Sequence, residues 1–140
     1  MKKLLLVLLL PFAFICSANA NLQYAIDEYY KQNYEIAFKE FKSFANQGNG
    51  IAQWYLYWMY DGGLGTDKDE DLAEAWREKG LAGLEFMAMQ GDPEAQYWHG
   101  ENLTYGTDEY ESWNKKSFNG FLFAANQGDS YSQGWLAEHY

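Results

Sequence analysis

The chain has 140 residues, 19% of them aromatic, and sets 20 acidic against 10 basic side chains. A formal charge of −10 argues against nucleic acid or anionic lipid as a partner, since phosphate contacts need clustered Lys and Arg. A single cysteine, Cys16, rules out a disulfide framework, so stability has to come from packing.

Residues 1–20 read MKKLLLVLLLPFAFICSANA, with a Lys2–Lys3 head, an apolar stretch from Leu4 to Ile15 and small residues ending in Ala18-Asn19-Ala20. This is the pattern of a secretory signal peptide with an A-x-A cleavage site, too short for a membrane span. Cleavage between Ala20 and Asn21 is expected, with export to the periplasm or beyond. A lipid anchor is not expected, because Ile15 stands where a small residue should precede Cys16. Neither is membrane insertion after cleavage. The mature chain, 21–140, keeps 8 basic and 20 acidic side chains, a net charge of −12. A chain of this size buries about two-thirds of its unfolded surface, enough for one domain.

The mature chain opens with a helix over about Leu22–Lys31 and a second over Tyr34–Gln47 behind an Asn33 cap. Ala37, Phe41, Phe44 and Ala45 form one helical stripe. Three related segments follow: FANQGNGIAQWYLYWMY from Phe44, MAMQGDPEAQYWHGENL from Met87 and AANQGDSYSQGWLAEHY from Ala124. Each sets Gln beside Gly and places a second Gln six residues after the first. The spacings are 43 residues from Gln47 to Gln90 and 37 from Gln90 to Gln127, the period of stacked supersecondary units.

Each unit reads as two helices. The first starts at Gly50, at Asp92-Pro93 (an N-cap followed by proline at the first helical position) or at Asp129-Ser130. Glycine-bearing loops break the chain at Asp61–Thr66 and Thr104–Thr107, and second helices start near Asp69 or Asp108 and run to the next Gln-Gly. Gly48, Gly91 and Gly128 are expected at positive φ, where the chain reverses. Ala52, Ala95 and Ser132 are small where helices approach closely, and the recurrent Gln is placed to bond backbone across the turn. No strand-like alternation appears. The expected fold is all-α: an opening pair over about 22–47, repeats over about 48–90 and 91–127, and a final single helix over about 128–140 that caps the stack or docks on a partner.

The run Ala52, Leu56, Tyr60, Gly63, Gly65, Asp69, Ala73 and Trp76 resembles the Sel-one-like repeats, relatives of the tetratricopeptide repeat. Tyr57 stands in a family Gly place and Thr66 in a Val place; in the second copy His99 replaces Leu56 and Gly100 restores the glycine. The resemblance implies an α/α solenoid of antiparallel helix pairs, a right-handed tetratricopeptide-like superhelix whose first helices line a concave face. It also implies protein binding in the bacterial envelope. Trp76–Gly91 and Trp113–Gly128 each span 15 residues, an excess over the family of about seven residues, close to two helical turns. The second helices should therefore project as a ledge, with Leu81, Leu84, Phe86 and Met87 covering Phe118, Phe121 and Phe123.

Little in the chain suggests chemistry. His99 takes a Leu position and reads as a hydrogen-bonded interior histidine, and His139 lies near the C-terminus; neither has companions at metal-ligand spacing. Asp67, Asp69, Asp71 and Glu78 fit positions of a calcium loop, but Leu72 occupies its obligatory Gly place. An acidic first turn complementing a helix dipole explains that run. No nucleophile motif is present, so no catalytic residue, metal or cofactor is assigned.

The aromatics carry the functional reading. Tyr55, Trp98 and Trp135 are aromatic in every copy and read as stacking core. Trp58 shares its column with Glu101 and Glu138, which places that column in water; Trp54 and Tyr97 share theirs with Gly134. On a helical wheel Trp54 and Trp58 lie away from Ala52 and Leu56. The expected partner-binding residues are Trp54, Trp58 and Tyr97 as anchors with Glu101 and Glu138 as steering charge. They suit a non-catalytic adaptor, regulator or immunity-like antagonist of an envelope enzyme or toxin, with a basic protein partner. The alternative is an envelope hydrolase or glycan-binding protein that stacks sugar rings.

Overall fold

The computed structural model describes residues 21–139; the expected signal peptide, residues 1–20, and Tyr140 lie outside the described residues. Seven helices make up the described chain: α1 over 21–30, α2 Tyr34–Asn46, α3 Gly50–Gly62, α4 Glu70–Met89, α5 Pro93–Glu101, α6 Asp108–Asn126 and α7 Ser130–His139. No strand occurs among the described residues, so the fold is all-α. None of these helices is long and apolar enough to cross a membrane.

The helices start where polar side chains satisfy the unpaired N–H groups of a first turn. Asn49, Asp69, Asp92 and Thr107 accept from the backbone of Ala52, Leu72, Ala95 and Tyr110. Asp129 accepts from Ser132 in the same way. Asp69 is thus an N-cap, and Glu70 and Asp71 occupy the first turn of α4. Asn33 departs from expectation: it makes no cap bond, and its amide donates instead to Glu28 at 2.7 Å.

The three reversals are copies of one another. Gly48, Gly91 and Gly128 take φ of 89°, 93° and 92°, a region that only glycine enters without strain. Across each turn the second glutamine donates to a backbone carbonyl eight residues earlier: Gln53 to Ala45, Gln96 to Ala88 and Gln133 to Ala125, each at 3.1 Å.

From α2 to α7 each helix packs on its chain neighbours, and α3 also reaches α5. The core runs through Leu22, Ala25 and Ile26 of α1, Ala37 and Phe41 of α2, most of α3, Leu84 of α4 and Ala95 of α5. Ala52, Ala95 and Ser132 are buried, as their small size anticipates. The start of α3 lies against the last third of α4, where a Cβ on Gly50 would fall on the backbone of Gly83. The start of α5 meets α6 likewise, a Cβ on Gly120 standing 2.7 Å from Pro93.

Helices α4 and α6 reach 20 and 19 residues against 13 for α2. The expected mutual cover is only partly present. Leu84 and Phe121 are buried, but Phe86 is 66% and Phe123 70% exposed. Two residues rotate a helix by about 200°, so Phe86 and Phe123 face away from the side that buries Leu84 and Phe121. The cover over Phe121 comes from α7, where Trp135 stacks on it at 3.9 Å.

Candidate functional site

Helices α3, α4 and α5 enclose a cleft of about 380 Å³, lined by Trp54, Tyr57 and Trp58 from α3, Arg77 from α4, and Trp98, Glu101 and Asn102 at the end of α5. Because residues three and four apart share a helical face, Trp54 meets Tyr57 at 5.0 Å and Trp58, edge-on, at 6.1 Å. Tyr57 and Trp58 are 5.0 Å apart. Arg77 is held by Glu74, which accepts from both Nε and Nη2 at 2.8 Å. Glu101 accepts from the Tyr110 hydroxyl at 3.2 Å, and Asn102 donates to the Trp98 carbonyl at 2.7 Å.

Three of the five expected partner-binding residues, Trp54, Trp58 and Glu101, thus share this cleft. Trp58 is 39% exposed, but Trp54 is only 4% exposed, which corrects its reading as an exposed anchor. A helical wheel with one packing stripe does not apply to α3, which is buried on most of its circumference. Gly80 of α4 also lets the two backbones approach: a Cβ there would stand 3.0 Å from the Trp54 nitrogen. The Trp54 indole N–H has no hydrogen-bond partner.

Tyr97 and Glu138 lie elsewhere. Tyr97 packs edge-on against Trp98, Trp135 and His139 at 4.9, 5.1 and 5.4 Å. Glu138 lines a separate cleft of about 180 Å³ between α1 and α7. In the aromatic column Tyr55 and Trp135 are buried as expected while Trp98 is half-buried: Tyr55 stacks on Phe41 at 4.4 Å and meets Trp98 edge-on at 6.3 Å. His99 is half-buried and edge-on to Trp113 at 5.0 Å, not in the interior.

The sequence reading missed Glu94. Buried on α5, its carboxylate accepts from Tyr55 at 3.2 Å, Trp98 at 3.4 Å and Tyr131 at 2.8 Å. Burial pushes its pKa from 4.5 up to about 7; the Tyr131, Trp98 and Tyr55 hydrogen bonds pull the other way, and Asp92 adds to the rise. Burial, then the Glu94 charge, raises the Tyr55 and Tyr131 hydroxyls well above their usual range. A signal was available: the Glu94 column reads Ile51, Glu94, Tyr131, one acid among large apolar side chains.

Among the described residues, no group of three or more His, Cys, Asp or Glu is placed to hold a metal ion. No family model, curated protein or solved structure matches the chain.

Proposed function

We propose that the protein is a non-catalytic, exported helical-repeat module that binds another protein in the bacterial envelope, as adaptor, regulator or antagonist of an envelope enzyme or toxin. The observation that carries this reading is Trp58, 39% exposed, braced by Trp54 and Tyr57 and set beside Glu101 at one cleft. A rigid, part-exposed aromatic rimmed by polar groups is the usual form of a binding hot spot. The mature charge of −12 favours a basic partner through long-range steering.

The repeat architecture proposed here is a tetratricopeptide-like superhelix of antiparallel helix pairs, akin to Sel-one-like repeats. Three identical glutamine-to-carbonyl bonds and three identical glycine reversals support it, since one joint repeated along a chain generates a regular stack. Export is proposed from the Lys2–Lys3 head, apolar stretch and Ala18-Asn19-Ala20 of residues 1–20.

A second reading, a glycan-binding protein, rests on the same cleft. Its Tyr57 and Trp58 rings stand beside Arg77, Glu101 and Asn102, groups that hydrogen-bond sugar hydroxyls. Affinity capture from an envelope extract with residues 21–140, wild type and Trp58→Ala in parallel, tests both. One stoichiometric protein that the variant loses supports the leading reading. Retention on peptidoglycan without a protein supports the second, and capture indifferent to Trp58 overturns the assignment of the cleft.

A further inference from the structure

The cleft between α1 and α7 stands apart from the one just described. Asp27 and Tyr30 come from α1; Tyr131, Gly134, Trp135 and Glu138 come from one face of α7. No lysine or arginine lines it, although two carboxylates do.

Gly134 is the unusual element. Its column holds Trp54 in the first copy and Tyr97 in the second, so a ring belongs there by the logic of the repeat. Glycine is, after proline, the least favourable residue inside a helix, and no turn requires it in the middle of α7. A Cβ built on Gly134 meets nothing within 4 Å. Gly134 lines the cleft, an open volume of about 180 Å³ bounded by aromatics and two acids, and presents no side chain to it.

We propose that this cleft binds an organic cation, an ammonium group on a short alkyl chain. Asp27 and Glu138 supply the opposing charge. Asp27 also accepts from Gln23 at 2.9 Å, which orients its carboxylate. Trp135 stacks on Phe121 at 3.9 Å and on His139 at 4.3 Å, which holds its ring in place. It acts as a fixed wall. The attraction of a cation for an aromatic face falls to Tyr30 and Tyr131. Tyr131 is itself anchored, its hydroxyl donating to Glu94. The alkyl part lies against Gly134, which lines the cleft without a side chain.

Isothermal titration of residues 21–140 with n-butylammonium chloride, against sodium chloride at equal ionic strength, tests the site. Saturable one-to-one binding with an NMR shift at the Gly134 amide is expected. Gly134→Tyr restores the ring of the other copies and should lower the affinity at least about tenfold, as should Asp27→Asn with Glu138→Gln, the scale of a desolvated cation contact. Circular dichroism of each variant confirms the fold. A polyamine that binds more tightly than butylammonium identifies a free amine as the source; a lysine peptide that does so identifies a partner's side chain. Heats reproduced by sodium chloride, the absence of saturation, or full binding by folded Gly134→Tyr would overturn the proposal.

Discussion

The hydroxyl of Tyr131 donates to the carboxylate of Glu94 at 2.8 Å, tying α7 to an acid buried in the middle copy. Tyr55 of the first copy bonds the same carboxylate, so one side chain joins all three copies.

That junction predicts a pH dependence. The folded pKa of Glu94 lies above its ordinary value of 4.5, at about 7. The stability contributed by its neutral form is complete below about pH 4.5 and is lost as pH rises through about 7, by about 3 kcal/mol. Glu94→Gln stays neutral throughout. Urea unfolding at pH 4, 6 and 8 should show the variant gaining on the wild type as pH rises. Parallel curves would contradict a titrating, buried Glu94.

Trp54 and Trp58, one helical turn apart, should respond differently to truncation. Trp54→Ala empties a core position and should cost about 3–5 kcal/mol. Trp58→Ala gives up its ring contacts with Trp54 and Tyr57, worth about 1 kcal/mol, yet should weaken partner binding by at least about 2 kcal/mol. Equal losses of stability in thermal and urea melts would show Trp58 to be packing.

Two glycines provide an opposed pair. Gly50→Ala drives a Cβ into the Gly83 backbone and should destabilise by about 1–3 kcal/mol. Gly134→Ala meets open space inside a helix and should stabilise by up to about 1 kcal/mol. Chemical denaturation of both variants decides it, and a stabilised Gly50→Ala would disprove the close approach of α3 and α4.

The glutamine joints should rank by burial. Gln53 and Gln96 are buried while Gln133 is exposed. Gln53→Ala and Gln96→Ala each remove one of two hydrogen bonds to a carbonyl, Ala45 and Ala88 still accepting from the Gly48 and Gly91 N–H, and should cost about 0.5–1.5 kcal/mol, whereas water replaces the bond in Gln133→Ala, costing about 0.5 kcal/mol or less. Three equal costs would separate these bonds from their burial.

Glu101 and Glu138 line different clefts, so their charges are separable. Glu101→Lys should slow association with the protein partner, more so at low salt, and by more than Glu138→Lys, which changes the net charge equally but lies outside that cleft. Stopped-flow association at two salt concentrations reads both.

Local chemistry made the helices legible in advance. Asp92-Pro93 can only open a helix well, Gly48, Gly91 and Gly128 mark reversals because positive φ favours glycine, and the Gln spacing places each amide opposite a carbonyl across its turn. These effects act within about ten residues, and composition alone carries the acidity that limits the choice of partner. What lies around a helix depends on which neighbours close over it, and periodicity does not encode that. The approach of Gly80 buried Trp54, although its wheel position placed it with Trp58. The rotation of α4 left Phe86 outside while Leu84 went in. Glu94 became a junction only when Tyr55 and Tyr131, 39 and 37 residues away, were brought to it. Only the packing of α1 toward α7 turned Gly134 from a weak helix residue into the floor of a cleft, because a cavity exists only where two distant segments fail to fill the space between them.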